Sequence, residues 1–403
     1  MAIKQVSIPF QSINQSDWRA QVDKELKGKS YDDFLIWKTQ NGFDIESWQQ
    51  ELPTTIPAPP LKVDPWKIME PISETDAQHA NKMALDALNN GAESIWFDKS
   101  FKGAAAEVVC NQIDQSIAPV FINESNVYDA YKPFLKRGVE WNLPDAGTIL
   151  LDGERFRERG ASPVHELAIL ISQVIELNRH ATKVEVLIKT AMGSSLLMEI
   201  AKLRALRWLI DSVNENMQNT VDYPRFIASN LSSFYSINDE YTNLLRATNS
   251  ALAGVLGGAD YICVRPWDKQ WKGGNPFSAR ISRNIQNLLK EESKLDKSFN
   301  PMDGSYFVEN LTNEIARCAW EKVRSIEDQG GFLEYSRKGQ LMMDMQDNRE
   351  EIIKSHLNQE SVLLGVNKYQ PVDMKPEPLP TDSEYQMLPP ILHLSLELQN
   401  SDS

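Results

Sequence analysis

The chain has 403 residues, 41% of them hydrophobic and 24% charged, with a formal net charge of −14. That length suits one large domain or two ordinary ones with ample core. No apolar run approaches the ~18 residues a membrane span requires, and the acidic balance argues against a nucleic-acid partner while leaving room for a local basic pocket. The N-terminus, MAIKQVSIPFQS, carries one Lys and no long apolar segment follows it, so no secretory signal is expected. Three widely separated cysteines, Cys110, Cys263 and Cys318, point to a reducing, cytoplasmic setting rather than a disulfide framework.

Residues 10–50 mix aromatic and charged side chains, and Trp18–Leu26 has helical spacing with Gly28 as a stop. Five prolines between Pro53 and Pro65 mark an extended linker. Helices then alternate with short apolar runs. His79–Asn89 reads as a helix, Glu93–Phe97, Ala118–Ile122 and Thr148–Leu151 as strands, Val164–Asn178 as a helix and Val184–Ile188 as a strand. Leu196–Val213 is a helix with apolar residues at i, i+3, i+4 spacing, followed by a strand at Phe226–Ser229 and a helix at Tyr241–Leu256. Tyr261–Val264 reads as a strand and Phe277–Glu292 as a helix started by an Asn275 cap and Pro276 at its first position. Leu311–Asp328 and Phe332–Lys354 are helical, and the chain turns Pro-rich from Gln370, as a tail or linker would.

Short buried strands alternating with long helices predict a parallel α/β sheet, and an eight-stranded α/β barrel is the first choice. Gly-x-Gly-x-x-Gly and Walker A loops are absent. None of His79, His165, His180, His356 and His393 forms a metal pair. Ser194-Ser195 lacks a nucleophile elbow and reads as a helix cap, and Gly257-Gly258 reads as a helix stop and tight turn. Arg280, Arg283 and Asn284 open a helix just past a strand, where a carboxylate or phosphate could bind, with Arg246 as a further candidate. The alternative is that these arginines pair with Glu291, Glu292 and neighbouring acids on a solvated face.

Several blocks carry a family resemblance. Leu256-Gly257-Gly258-Ala259-Asp260 followed by Phe277–Gln286 (FSARISRNIQ) resembles the Gly-Gly turn and "ARxARNxQ" helix of the methylmalonyl-CoA mutases. Asn300–Glu309 (NPMDGSYFVE) is similar to the family's "DPxGGSYYVE", with Asp303 in place of a glycine. Lys189–Gly193 and Met198–Arg207 match another family block, and Gly365–Tyr369 resembles the close of the barrel region. Trp18, Val22 and Glu25–Gly28 resemble the start of small-subunit chains rather than large ones. The resemblance spans about residues 10–370. It implies a (β/α)8 TIM barrel with an N-terminal extended and helical arm, an acyl-CoA along the barrel axis, and cobalamin capping one end in active members. The implied organisation is an arm and linker over 1–62, a barrel over 63–369 and a tail over 370–403.

The departures concern chemistry. The family histidine of "HxxTS" falls on Ile227, which has no proton to give. The family's Arg-Gln-Tyr falls on Met69-Glu70-Pro71, which places Pro71 at the tyrosine position and Glu70 where it would repel an acidic substrate. The cobalt-ligand signature "DxHxxG" matches no histidine, so no cobalamin-binding flavodoxin-like domain is expected. The resemblance therefore implies a non-catalytic small subunit. Its partner in a heterodimer would be a large, cobalamin-binding mutase subunit that supplies adenosylcobalamin, with none bound by this chain alone. The rival readings are the barrel half of a split acyl-CoA mutase with a separate cobalamin protein, and an acyl-CoA-binding module without turnover.

Overall fold

The computed structural model describes residues 13–39, 41–49, 51–53, 64–99, 101–123, 136–140, 149–180, 185–217, 224–371 and 389–401. The Pro-rich linker and much of the 370–403 tail lie outside these residues.

The arm begins with the helix Gln15–Leu26, started by an Asn14–Asp17 capping box. A small hairpin follows, with β1 (Ile36–Lys38) antiparallel to β2 (Asp44–Glu46). Phe43 and Ile45 from this hairpin enter the main hydrophobic core, which anchors the arm to the rest of the chain.

Eight further strands form the barrel: β3 (Lys67–Ile72), β4 (Ser94–Phe97), β5 (Val120–Asn123), β6 (Lys136–Glu140), β7 (Ile149–Asp152), β8 (Val186–Met192), β9 (Arg225–Asn230) and β10 (Tyr261–Cys263). They run in sequence order around the barrel, and β10 closes it by pairing with both β9 and β3. Six match the strands expected from the sequence within a few residues. β3 is an addition. Its Pro71 removes a backbone donor, which the end of a strand tolerates. β6 is a correction to the regular (β/α)8 pattern, because it runs antiparallel to both β5 and β7. The fold is therefore TIM-barrel-like, with seven strands parallel and one reversed.

Alternation along each strand separates axis from exterior. On β8, Val186 and Ile188 point outward into the helix layer, while Leu187 joins the cluster on the axis. The outer layer includes Ala77–Asn89, Pro163–His180, Leu196–Met217, Thr242–Leu256 and Pro276–Asn287. Asp76 caps the first of these through the His79 N–H at 2.8 Å. Asn275 caps the last in a capping box with Ser278, as its sequence predicts, and a π turn extends that helix over Leu288–Glu292. Tyr306–Asp328 forms a second shell, placing Leu311, Ile315, Ala319 and Val323 in the same core as residues of Pro163–His180 and Leu196–Met217. That double cover explains why Leu196–Met217 is buried on so many sides. The expected long helix over Phe332–Lys354 is two helices, Gly331–Arg337 and Gln340–Leu357, interrupted at Gly339 with φ +76°. The end of the tail is also ordered: Leu392, Leu394 and Leu398 of the segment ending in helix Leu394–Ser401 pack with Ile352, Leu363 and Val366.

The Gly257-Gly258 turn does what its sequence suggests, and more. Gly258 takes φ +82°, the left-handed conformation of a tight turn. Gly257 is also a point of close approach, where a Cβ would sit 2.7 Å from Leu203 Cδ1 and 2.9 Å from Leu203 Cβ. We expect Gly257→Ala to cost about 1–3 kcal/mol through overpacking, measured by urea denaturation.

Candidate functional site

The barrel axis is the natural place for a site, and here it is filled. Met69, Trp96, Phe121, Leu150, Leu187, Ile227, Tyr261 and Cys263 form one cluster on it, none more than 4% exposed. Trp96 and Phe121 stack with centroids 6.3 Å apart, and Phe121 meets Tyr261 edge-on at 5.3 Å. Ile227, the residue expected from the sequence motifs at the family histidine position, is fully buried in this layer. Burial pushes the Cys263 thiol up to about 12, so it remains protonated at neutral pH and is no nucleophile. Below this layer Arg225 donates to the Tyr261 hydroxyl at 3.2 Å and pairs with Glu185.

Above it, at the carboxyl ends of the strands, sits a charged network that sequence reasoning missed. Glu154, just after β7, pairs with both Lys189 of β8 and Arg265 after β10. Lys189 Nζ lies 5.0 Å from the centre of the Trp96 ring. Asp98 accepts the Trp96 indole N–H at 2.9 Å and the Ser73 hydroxyl at 2.5 Å, and lies 3.9 Å from Arg265. Burial pushes the Asp98 carboxyl up, but Arg265 and Lys189 outweigh it and hold the group below its ordinary value. The members come from distant parts of the chain, so no local spacing reveals them.

A second buried network lies outside the barrel wall. Lys202 donates to Glu166 at 2.7 Å and forms an ion pair with Glu199, also at 2.7 Å, while Arg157 donates to Glu199 at 3.2 Å. Glu166 also accepts the Thr190 hydroxyl at 2.7 Å and the Ala191 N–H at 3.0 Å, which ties β8 to the helix Pro163–His180. These groups neutralise one another in charge and face helices, so their role is to hold elements in place.

The four candidate anion ligands do not converge. Arg246 donates to Asn243 at 2.8 Å and to the Leu364 carbonyl at 2.5 Å. Arg283 is buried and sits 3.4 Å from Glu70, while Arg280 and Asn284 are exposed on the same helix. Glu70 itself points outward to Arg283, away from the axis. The expectation that it repels a substrate inside the barrel is corrected by that orientation. Pro71 lies on β3 opposite Trp96. At the opposite, N-terminal end of the barrel, Arg204, Arg207, Gly257, Gly258 and Asn300 line a cleft, bringing three of the recognisable sequence blocks together. Its cations serve the scaffold: Arg204 pairs with Glu309 at 2.5 Å and Arg207 donates to the Gly258 carbonyl at 3.0 Å.

Among the described histidines, His165 and His356 are drawn into helical packing. His165 lies 3.0 Å from the Ser162 hydroxyl, and burial, aided by Lys322, pushes it down to about 4. His356 meets the Ile352 carbonyl at 2.8 Å, and His79 is on an exposed face beside Glu74. No group of three or more His, Cys, Asp or Glu side chains among the described residues could hold a metal ion. No helix among them is long and apolar enough to cross a membrane.

Residues 136–387 match the family described as methylmalonyl-CoA mutase. The chain belongs to that family. It is similar to the methylmalonyl-CoA mutase small subunit of Porphyromonas gingivalis, 26% identical over 89% of this chain and 70% of that protein. It is also similar to the probable methylmalonyl-CoA mutase small subunit of Mycobacterium tuberculosis strain H37Rv, at 32% over 55% of this chain and 38% of that protein. The methylmalonyl-CoA mutase of Escherichia coli K12 is 30% identical over 57% of this chain and 34% of its own length. The match to the Porphyromonas protein runs along nearly the whole chain, and with it the small-subunit type is supported. The chain spans well under half the length of the other two.

The Glu70–Arg283 contact carries a pH signature. Burial pushes the Glu70 carboxyl up to about 7 against the opposing pull of Arg283. A carboxyl with a raised folded value contributes stability that is present below its ordinary value of 4.5 and lost as pH rises through about 7. Glu70→Gln cannot ionise. Relative to that variant, the native chain should lose about 2 kcal/mol between about pH 5 and about pH 8, measured by denaturation at each pH.

Proposed function

We propose that this chain is the small, non-catalytic subunit of a cobalamin-dependent methylmalonyl-CoA mutase, a cytoplasmic heterodimer in which a large subunit interconverts methylmalonyl-CoA and succinyl-CoA. The observation that carries this reading is the axis itself. Eight side chains, three of them large aromatics, meet where an acyl-CoA would have to pass, and Ile227, which the sequence motifs put at the family histidine position, is one of them. A ligand threaded along that axis would have to displace Trp96, Phe121 and Tyr261 from fully packed positions, at a cost of about 3–5 kcal/mol for each large aromatic. Isoleucine offers neither a proton nor a hydrogen bond to a thioester carbonyl. The radical chemistry of such a reaction belongs to adenosylcobalamin, which we assign to the partner subunit. What this chain's own residues do is close the axis and present a rigid outer surface.

The split-enzyme reading requires an open mouth lined by anion-binding groups. Arg246, Arg280 and Arg283 are instead directed to a loop carbonyl, to solvent and to Glu70. The subunit reading also accounts for the arm. Its helix Gln15–Leu26 buries no residue, yet Trp18 is held against Tyr31 and Trp48, with ring centroids 6.0 and 5.0 Å away. An ordered helix with an open face is what a subunit contact needs, and we assign that face, with the adjoining barrel flank, to the large subunit.

Co-expression with a cobalamin-binding large mutase subunit tests the assignment. The two chains should co-purify as a stable complex that isomerises methylmalonyl-CoA, and this chain alone with adenosylcobalamin should show no turnover. Turnover by the isolated chain at a rate comparable to the complex, or failure of the chains to associate, would contradict it.

A further inference from the structure

We propose that Glu154 is a built-in occupant of a carboxylate-binding pocket at the barrel mouth, held there by Lys189 and Arg265 in the place of an external acid. One carboxylate oxygen faces each cation: Oε2 pairs with Lys189 Nζ and Oε1 with Arg265 Nη1. An ammonium and a guanidinium converging on the two oxygens of one carboxylate is the arrangement by which proteins hold carboxylic acids. The position is also deep, since the side chains of Glu154 and Lys189 are 6% and 4% exposed.

The two cations are positioned by contacts that do not involve Glu154. The Arg265 backbone N–H donates to Asn230 Oδ1 at 2.7 Å, and its guanidinium lies 3.9 Å from Asp98. Asp98 is itself fixed by the Trp96 indole and the Ser73 hydroxyl. Lys189 rests over the Trp96 ring and faces Asp152 across the β7–β8 pairing. The pocket is thus preorganised by β4, β8, β9 and β10, and Glu154 enters it from the start of the short helix Glu154–Arg157 after β7. The start of that helix is pressed against the outer helix Pro163–His180, since a Cβ on Gly153 would sit 2.8 Å from Glu166 Oε1. Asp98 acts on Arg265, Lys189 and nearby Lys269, while Glu154 is the carboxylate that Lys189 and Arg265 share. Removing the Glu154 carboxylate leaves Lys189 and Arg265 without their shared counter-charge, and truncation to Ala removes a CH2–COO⁻ group, the size of an acetate ion.

This contact keeps acidic ligands out of the mouth and makes the chain self-sufficient there. It stands apart from the subunit assignment, because it concerns the isolated chain and needs neither partner nor turnover. The ligand class is a short carboxylic acid, and the test is rescue of a variant by acetate. The full-length Glu154→Ala chain should melt at a lower temperature than the native chain in sodium chloride. Sodium acetate at equal ionic strength should raise its Tm by roughly 2–4 °C in a saturable way. Acetate should leave the native chain unchanged, and adding Lys189→Met to the variant should abolish the response. If Glu154→Ala is insoluble in chloride, refolding it in acetate should raise the soluble yield several-fold. Acetate acting no better than chloride in whichever assay applies, or stabilising the native chain equally, would show that Glu154 is only a structural ion-pair partner and overturn the proposal.

Discussion

Filling of the barrel axis is the constraint from which the rest of this structure follows. An eight-stranded barrel has room inside only for side chains, and what those side chains are decides whether it is a channel or a core. Here three aromatic rings, two leucines, a methionine, an isoleucine and a cysteine meet at one level. The apolar layer stabilises the barrel from within by removing large hydrophobic surfaces from water. It also separates two polar ends, the Arg225–Glu185–Tyr261 group at one and the Glu154–Lys189–Arg265 group at the other. A channel through the barrel and a core of this composition exclude each other.

Charge inside the molecule is distributed in keeping with that. Buried carboxylates are costly unless cations compensate them, and each of the two networks brings carboxylates and cations together in close balance. Lys202 between Glu166 and Glu199 joins two outer helices, and Glu166 reaches through to the backbone of β8. Glu154 between Lys189 and Arg265 joins the ends of three strands. Neither arrangement leaves a cation free for a substrate acid, and the arginines at the start of Pro276–Asn287 are committed to Glu70 or to solvent. The chain keeps the family's scaffold blocks because they make turns, caps and inter-element pairs. Arg204, Gly257 and Asn300 meeting in one cleft at the N-terminal end is an example.

The parts of the fold legible in the sequence were those with local signals. Strands β4, β5 and β7 to β10 are short apolar runs, and helix Pro276–Asn287 begins with an Asn cap and a proline that announce it. β3 was hidden by Pro71 and by its nearness to a proline-rich stretch. β6, Lys-Arg-Gly-Val-Glu, has neither alternation nor β-branched density, so its reversed course had no signature. The docked C-terminal helix was masked by the prolines before it. Of the site, the family motifs pointed to Ile227 as a position of interest, and its place in the axial layer came only from the fold. The direction of Glu70 could not be read from them, because a shift of one residue along a strand turns a side chain from axis to exterior. The mouth network was invisible for a different reason: its members are brought together only by barrel closure.

If the axis is closed as described, the isolated chain has no place for the pantetheine arm of a CoA ester. Isothermal titration of the purified chain with methylmalonyl-CoA measures this directly. The account predicts no saturable binding up to roughly millimolar ligand, where even an affinity of about 4 kcal/mol would be detected. Saturable one-to-one binding at micromolar ligand would contradict it and would require the Trp96, Phe121 and Tyr261 layer to open.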